Sequence, residues 1–450
     1  MYSKEFQSTF YISLIYSFRM IGLFIIFPIF SLYVDHLKDA TPFLISLALG
    51  IYGLTQASLQ LVLGIASDYI GRKKIILFGL LLFILGSIIA ACSTNIYGII
   101  IGRALQGAGA IGSTLTALIA DITKEENRLK AMSIIGMSIG LSFMVAMMIS
   151  PILNSIIGLS GIFWVTAIMG VVGIIMLLKI PTPRVPSFHH EAKPVFHLIK
   201  SVIFHKELLR LNFGIFALHA ILTALFIVIP IILTNRIEIA PDYQWLFYLP
   251  VLVISFGLVF PFIIIGEVKR KIKLLFIVAI IILTLCVLGV LFEFQHVVIM
   301  GVLLTLFFAS FSFLEATLPS VISKTAPVGT KGTAMGIFSS AQFFGIFIGG
   351  SLGGVVFELY NIAGVLIFCT IFGILWFIVS LTMGDIQYLN SKIYHMNISG
   401  EQKKEELEGI LSKEVGIYES NINLEEAAIY IKFDKKEFDE ASFLAKLSSI

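Results

Sequence analysis

The sequence contains few charged residues. Asp, Glu, Lys and Arg together make up 13% of its 450 residues, whereas soluble domains carry about 25%. Hydrophobic residues make up 58%, and the mean hydropathy is +0.99. This composition excludes a soluble enzyme and indicates a protein whose bulk lies inside a lipid bilayer.

Cysteine is also scarce, and its placement excludes two kinds of site. Cys92, Cys286 and Cys369 fall in three separate apolar runs without paired spacing, which argues against a disulfide framework or a zinc site. His189 and His190 are adjacent but have no further ligand close by, so we interpret them as solvated loop residues. We expect no metal, no cofactor and no nucleic-acid partner.

Twelve apolar runs lie before residue 384, and a membrane-spanning helix needs about 20 such residues. The first run is too long for the apolar core of a signal peptide, so we count it as a span. We number the predicted spans 1 to 12 in chain order. They cover residues 10–34, 42–63, 75–93, 95–119, 131–155, 160–179, 208–234, 243–266, 274–292, 296–320, 332–357 and 362–383.

Positive charge alternates between the connections of these spans. The connections after spans 2, 4, 6, 8 and 10 hold most of the lysines and arginines of the first 384 residues, whereas those after the odd-numbered spans hold only Lys38 and Arg236. Cytoplasmic loops carry the excess of positive charge. The bias therefore predicts a multi-pass membrane protein with both chain ends in the cytoplasm.

The polar connection between spans 2 and 3 has an ordered pattern, G-x-x-x-D-x-x-G-R-K. It is formed by Gly64, Asp68, Gly71, Arg72 and Lys73. One interpretation is an ordinary basic loop, because positive loops are common in membrane proteins. The alternative is a loop with a conformational role, which we call the latch loop (residues 64–74).

The latch loop resembles the loop between helices 2 and 3 of the major facilitator superfamily of secondary transporters. Span 4 contains Arg103, Gln106, Gly107 and Gly109, which resemble a second signature of that family, R-x-x-Q-G-x-G. The connection after span 4, with Asp121 and Arg128, is similar to loop 4–5 of the drug/proton antiporter branch.

Span 5 departs from the pattern usual in the fifth helix of that antiporter branch, in which glycine is followed directly by proline. Gly136 and Gly140 are present, but Pro151 lies farther along the chain. The departure weakens the inference to antiport and leaves the inference to the fold intact.

The two halves of the membrane part repeat each other. A shift of the sequence places Ala131 on Ala334, Arg128 on Lys331 and Gly161 on Gly364 without a gap. Parallel repeats of six helices build the two halves of these transporters. We therefore predict a six-helix half at 1–180, a cytoplasmic linker loop at 181–207 and a second half at 208–384.

Four ionisable residues lie well inside spans: Arg19 in span 1, Arg103 in span 4, His219 in span 7 and Glu315 in span 10. Charged groups inside a bilayer face the protein interior. We therefore expect spans 1, 4, 7 and 10 to surround a cavity where protons are coupled to transport. Glu315 is the expected proton-binding group, and Arg19 is its expected partner in a pair that opens and closes as the halves rock, so that Glu315 binds a proton when the two are separated. The alternative is a permanent salt bridge between the halves.

Further polar and aromatic residues are candidates for lining this cavity: Gln56, Gln60, Asn212, Phe308 and Ser312. For Gln56 and Gln60 an equal alternative is hydrogen bonding that joins neighbouring helices. Asp68 is the candidate for a latch, because an acid beside the amino end of span 11 is stabilised by the helix dipole.

The last 66 residues differ from the rest of the chain. Residues 385–450 hold 13 Asp and Glu against 8 Lys. After a linker at 385–391, strand-like and helix-like runs alternate over 392–450 in the order β-α-β-β-α. This order predicts a small cytoplasmic ferredoxin-like domain without its last strand. The tail has no cysteine, so we expect regulation or assembly rather than metal delivery.

The residues and the resemblance together imply the major facilitator fold and a secondary transporter, not an enzyme. The leading hypothesis is a proton-coupled efflux antiporter for a small molecule, acting as a monomer by alternating access in the lipid bilayer of a bacterial inner membrane, the location that the resemblance implies. Fold does not fix function, so a metabolite uniporter or symporter, or a transporter-derived membrane sensor, stays an alternative.

Overall fold

A computed structural model describes most of the chain. The described residues are 3–33, 37–123, 125–182, 200, 202–292, 295–327, 330–384, 390–396, 401–423, 428–434 and 437–448. The predicted linker at 181–207 lies largely outside these ranges, as do His189, His190 and most of the linker at 385–391.

Long helices fill the membrane part, and nine of those in the described ranges are long and apolar enough to cross a membrane. Two of the nine bend, at Gly158 and Asn361, where the backbone takes a positive φ, and so supply two spans each. The helices are Ser3–Phe24, Phe30–Tyr33, Pro42–Ile70, Arg72–Cys92, Ile96–Ala108, Gly112–Ile122, Glu125–Lys179, Lys206–Asn235, Gln244–Val268, Ile272–Val290, Val297–Thr325 and Lys331–Leu381, with a short 3₁₀ turn at Pro241–Tyr243.

Two predicted spans are broken where we expected continuous helices. Span 1 ends its first helix at Phe24 and resumes at Phe30. Pro28 explains the break, because proline lacks the N–H of the helical ladder and its ring crowds the preceding turn. The freed carbonyl of Ile25 accepts a hydrogen bond from the Ser150 hydroxyl.

Span 4 is broken between Ala108 and Gly112. A Cβ on Gly109 would lie 2.2 Å from the carbonyl oxygen of Gly79 in span 3. The two backbones therefore approach more closely here than any side chain permits, and the helix of span 4 is interrupted at this approach.

The two ends of the helix bundle differ in what they carry. We call the tail side the end with the latch loop, the connection at 268–271 and the tail. We call the opposite side the end with Lys38, which forms a backbone bridge to Asn95, and the connection at 236–240.

The two halves meet mainly along spans 2 and 11, which run antiparallel in direct backbone contact. A Cβ on Gly350 would lie 2.7 Å from the Cα of Gly50, and one on Gly53 would lie 2.4 Å from the carbonyl oxygen of Phe343. Small residues permit this close approach between membrane helices. At the opposite side, the Phe43 N–H also donates to Glu358.

An aromatic cluster joins the halves nearer the bundle axis. Phe143 of span 5 stacks against Phe311 of span 10 with ring centroids 6.0 Å apart, and Phe27 of span 1 contacts Phe226 of span 7 at 5.7 Å. Along spans 1, 7 and 10, the rings of Phe27, Phe226 and Phe311 lie nearer to the opposite side than the ionisable residue of the same span does. The bundle is therefore closed toward the opposite side in this conformation.

The tail has the predicted β-α-β-β-α order. Strands β1 (Asn390–His395), β2 (Ile417–Asn423) and β3 (Ala428–Phe433) form an antiparallel sheet in the order β1-β3-β2, with helices Glu401–Lys413 and Glu440–Ser448. Leu407, Phe443 and neighbouring apolar residues form its own core. This strand order is that of a ferredoxin-like fold without the fourth strand beside β1.

The tail contacts the second half of the membrane part through the end of span 10. The Lys432 ammonium of β3 is buried and donates to the main-chain oxygens of Lys324 at 3.1 Å and Ala326 at 2.5 Å. These oxygens belong to the last turn of a helix, where a cation satisfies unpaired carbonyls and complements the helix dipole. Arg270 adds an exposed pair with Asp434 at 3.3 Å.

We predict that Lys432→Met loosens this attachment while the tail stays folded, because the apolar stem is kept. The charge that caps span 10 is lost, together with a pair to the half-exposed Glu419 of β2 at 3.2 Å, and exposed pairs contribute little to stability. A cation at a helix carboxyl end contributes about 0.3–2 kcal/mol. Amide hydrogen exchange in the last turn of span 10 should therefore accelerate by roughly twofold to thirtyfold. The exposed Lys413→Met is the control, and unchanged exchange in Lys432→Met would show that this contact contributes nothing to docking.

Candidate functional site

The latch loop is organised by the guanidinium of Arg72. It contacts Asp68 at 2.5 Å and Asp121 at 3.1 Å, and it donates to the Ser67 hydroxyl at 2.5 Å. Arg72 is buried, and both carboxylates are nearly so. The arginine therefore joins the end of span 2 to the end of span 4, which brings together residues that the sequence placed in two separate motifs.

Gly71 and Gly64 serve this loop in different ways. Gly71 has φ +107°, and nothing lies within 4 Å of a Cβ built on it. Its requirement is therefore a backbone conformation that other residues rarely adopt, and not a lack of space for a side chain. A Cβ on Gly64 would lie 2.8 Å from the Ser113 hydroxyl, so this glycine permits contact with span 4. Lys73 donates to the carbonyl of Ile180 at 2.8 Å.

Asp68 lies close to the amino end of span 11, judged from the register of spans 2 and 11. Gln60 contacts Ser339, and Gly336 packs on Leu61. Continued along the antiparallel pair, this register places Asp68 level with the first residues of the helix that begins at Lys331. The side chain of Arg128 lies outside what the structure describes.

Arg19 is held by neutral groups of its own half. Its Nη2 donates to the Tyr52 hydroxyl at 2.8 Å, to Gln56 Oε1 at 3.1 Å and to the carbonyl of Gln106 at 3.2 Å. The expected pair with Glu315 is absent from this conformation. Spans 2 and 4 supply three neutral acceptors within the same half. A permanent salt bridge to Glu315 is therefore excluded, and a pair that forms in another conformation stays a prediction.

Arg103 does not line a cavity, contrary to our expectation for span 4. It is fully buried and donates to the carbonyls of Gly22 and Leu23, at 2.9 and 3.2 Å, and to Gln106 Oε1 at 2.9 Å. Its guanidinium also lies 4.8 Å from the centre of the Tyr52 ring. The broken region of span 1 supplies the free carbonyls, so Arg103 holds spans 1, 2 and 4 together.

Glu315 forms a small polar site with two residues of the second half. Gln342 of span 11 donates to Glu315 Oε1 at 3.0 Å, and its amide nitrogen lies 2.9 Å from Nε2 of His219. The second carboxylate oxygen lies 3.7 Å from the same Nε2. The Glu315 side chain is 32% exposed, whereas the His219 side chain is almost completely buried.

The hydrogen bonds of this site determine the protonation of His219. An amide nitrogen only donates, so Nε2 must accept from Gln342. Nδ1 lies 3.2 Å from the Ile215 carbonyl and must carry the proton to donate to it. The ring is therefore neutral, and Glu315 has no cationic partner among the described residues.

A chain of hydrogen bonds runs from Arg19 into the other half. Gln56 Nε2 donates to Gln60 Oε1 at 3.1 Å, and Gln60 Nε2 donates to the Ser339 hydroxyl at 2.7 Å. Both glutamines are buried. Of the two interpretations left open by the sequence, the joining of helices is therefore observed for both, and Gln56 also lines a cleft.

That cleft lies beside Arg19 in the first half. It is a narrow crevice without room for a water molecule, lined by Tyr16, Arg19, Met20, Gln56, Gly112 and Leu115. Of the other predicted lining residues, Phe308 packs in the aromatic cluster, and Ser312 is half-buried one turn from Glu315. Asn212 is buried, and no contact joins it to Glu315 within the described chain.

Sequence reasoning missed three residues of these networks: Tyr52, Ser339 and Gln342. Gln342 carried a usable signal, because it is a lone amide inside an apolar span. Tyr52 also carried one, because it lies four residues before Gln56 and therefore on the same face of span 2. Ser339 carried none, because serine is frequent in membrane helices and only the packing of spans 2 and 11 reveals its partner.

Comparison with known proteins gives a consistent result. The sequence profile of the Major Facilitator Superfamily matches residues 12–350. The inner membrane transport protein YajR of Escherichia coli (strain K12) is 41% identical over 438 residues, which cover 96% of this chain and 95% of that protein. The class H tetracycline resistance protein of Pasteurella multocida is 32% identical over 143 residues, covering 31% of this chain and 34% of that protein.

The fold also matches a solved structure. The human organic anion transporter MFSD10 (TETRAN) superposes with a TM-score of 0.62 at 16% identity, covering 84% of this chain and 99% of that chain. The family profile and the near full-length similarity to YajR agree with the helices, the repeat and the latch loop. This chain belongs to the Major Facilitator Superfamily.

Proposed function

We propose that the chain exports a small molecule in exchange for protons by alternating access, with Glu315 as the proton-binding group. The observation that carries this proposal is the environment of Glu315. Its carboxylate lies inside a membrane span with only neutral partners, Gln342 and His219. A carboxylate paired with a fixed cation would stay ionised, whereas this one takes up a proton without leaving an unpaired cation behind.

The hydrogen bonds favour Glu315 over His219 as the proton site. A protonated Glu315 keeps a carbonyl oxygen that still accepts from Gln342. A protonated His219 would have to donate from Nε2, and the Gln342 amide would have to turn its oxygen toward it. That turn would remove the hydrogen bond to Glu315. Glu315 therefore changes charge at lower structural cost.

Alternating access is supported by the unequal closure of the two ends. Glycine contacts and the aromatic cluster close the opposite side, while part of the Glu315 side chain is exposed. Rocking of the halves about the interface of spans 2 and 11 would expose the same carboxylate to the other compartment.

The latch loop would set the balance between the two states. Asp68 lies level with the amino end of span 11, where a carboxylate gains about 0.3–1 kcal/mol from the helix dipole. Because Arg72 contacts both Asp68 and Asp121, a movement of span 11 away from the loop would change the contacts of spans 2 and 4 together. Export as the direction is supported by the name of the tetracycline resistance relative.

The proposed orientation places the tail side in the cytoplasm. In a background that lacks Cys92, Cys286 and Cys369, we expect Lys38→Cys to react with a membrane-impermeant thiol reagent in intact cells. Lys269→Cys should react only after the cells are opened. Labelling of Lys269→Cys in intact cells would reverse the orientation.

The proton site is tested with Glu315→Gln in everted membrane vesicles that hold a pH gradient. A panel of compounds beginning with tetracycline should dissipate the gradient when the unchanged protein is present. With Glu315→Gln this response should fall at least about tenfold, because a neutral amide cannot carry the proton. Binding, followed by thermal stabilisation, should change by less than about threefold.

Glu238→Gln is the matched control, because Glu238 is an exposed acid in the connection at 236–240 on the opposite side. It should leave the gradient response unchanged. Gradient-driven transport that survives in Glu315→Gln would place the coupling site elsewhere, with His219 as the next candidate. No response to any compound with the unchanged protein would contradict proton coupling itself.

The latch is tested with Asp68→Asn, which removes the charge and nearly preserves the shape. We expect transport to fall at least about tenfold, because the charge that interacts with the dipole of span 11 is lost. The amount of protein in the membrane should stay normal, because Arg72 keeps its contact with Asp121 and the fold is retained. The exposed Asp39→Asn serves as control, since asparagine tolerates the positive φ at that position. Full transport by Asp68→Asn would mean that the loop only directs membrane insertion.

A further inference from the structure

The second half does not repeat the residues that organise the latch loop in the first half. Its corresponding connection, residues 266–271, keeps cations at 269–271 but not the aspartate and glycine of the pattern. The shift that relates the two halves places Asp121 on Lys324, so a lysine stands where the first half has an acid that pairs with Arg72. The contact by which Arg72 joins spans 2 and 4 therefore has no counterpart in the sequence of spans 8 and 10.

The turn between spans 8 and 9 holds an arginine in an unusual backbone conformation. Arg270 has φ +52°, a value that glycine and asparagine adopt more readily than a long side chain does. In the first half, Gly71 takes a positive φ in the corresponding turn. The Arg270 side chain extends to Asp434 of the tail, at 3.3 Å. An arginine is therefore kept at a turn that disfavours it, and it contacts the tail.

The tail faces the second half with the side of its sheet that carries no helix of the described tail. Alternate residues of β3, beginning with Ile429, pack against the tail's helices. The others point to the opposite face of the sheet, and they are Ala428, Tyr430 and Lys432. All six residues of β3 are nevertheless buried. Because the Lys432 ammonium lies on the carbonyls that end span 10, this face of the sheet lies against the membrane part.

The end of β3 contacts two separate connections of the second half. Lys432 donates to two carbonyls at the end of span 10, and Asp434, two residues farther, pairs with Arg270 after span 8. Spans 8 and 10 are the repeats of spans 2 and 4. Those are the spans whose ends Arg72 joins in the first half. The tail thus contacts the same two helix ends that the first half joins with its own residues.

We propose that the tail acts as the latch of the second half, holding the end of span 8 to the end of span 10. We call the contacts of Lys432 and Asp434 the tail brace. Both contacts lie within the second half, so the brace leaves the halves free to rock against each other. It keeps spans 8 and 10 together during that motion, and span 10 carries Glu315. The proposal goes beyond the proposed function, and its first test needs neither a substrate nor a pH gradient.

The first test is amide hydrogen exchange of the purified full chain, measured at the turn 269–271 and in the last turn of span 10. A brace exposes both places in one event, the undocking of β3, so one variant should change both by the same factor. Lys432→Met alters only the contact with span 10. It should nevertheless accelerate exchange at both places by the same factor, between about twofold and thirtyfold. Two independent contacts would give acceleration in span 10 alone.

A reversal of charge tests the other contact. Asp434→Arg places two cations together, and exchange should accelerate at least about threefold at both places. The double variant Asp434→Arg/Arg270→Asp restores the attraction and should return exchange to within about twofold of the unchanged protein. Aspartate tolerates the positive φ at that turn.

The exposed Lys413→Met is the control and should leave exchange at both places unchanged. Exchange in the core of β3 reports whether the tail of each variant is folded. Should Asp434→Arg unfold the tail, Lys432→Met still decides between one brace and two independent contacts.

The second test is transport in the everted vesicles. Lys432→Met should lower the initial rate of the gradient response at least about threefold, and Lys432→Arg, which keeps the cation, should restore most of it. The proposal is overturned if Lys432→Met accelerates exchange at span 10 alone, if the charge swap restores nothing, or if exchange changes at both places while transport does not. Coupled exchange in a protein that moves no protons would remove the proposed proton coupling and keep the brace.

Discussion

The cost of placing charge inside a bilayer shapes the first half of this protein. Arg19 and Arg103 lie in the interior, where an arginine costs about 2.5–3.5 kcal/mol even on scales that allow for local adjustment. The structure offsets that cost with backbone. The break in span 1 frees carbonyls that hold Arg103, and the carbonyl of Gln106, just before the break in span 4, accepts from Arg19. Irregular backbone and buried charge thus stabilise each other, in agreement with the rule that unpaired backbone at membrane depth is enclosed by protein.

The second half and the tail use polar contacts more sparingly. The interior site of the second half consists of the Glu315 carboxyl group, the Gln342 amide and the neutral His219 imidazole. The tail attaches to the same helix that carries Glu315, by placing Lys432 on the carbonyls that end span 10. The contacts described for the tail are with the second half, so the tail is expected to move with that half when the two rock against each other.

Much of the fold followed from the sequence, because membrane helices obey a simple length rule and loop charge alternates. The order of helices and strands in the tail also followed, since the spacing of its apolar residues alternates between that of a strand and that of a helix. The breaks in spans 1 and 4 did not, because a proline or a glycine inside an apolar run does not say whether a helix bends or stops. The neutral partners of Arg19 in this conformation did not follow either, for a related reason: charge complementarity suggests Glu315 as a partner but ignores nearer neutral acceptors. Arg72 shows the converse, because two family motifs predicted Asp68 and Asp121 separately and only the fold joins them.

The contact between Gly50 and Gly350 has a consequence for how this sequence can evolve. In most helix interfaces a larger residue on one side is accommodated by a smaller one across from it. Here both positions already hold the smallest residue, and each added Cβ would meet backbone rather than a movable side chain. No compensating substitution exists for either position. We therefore expect both glycines to be retained, while spans 2 and 11 vary on the faces that point away from this contact.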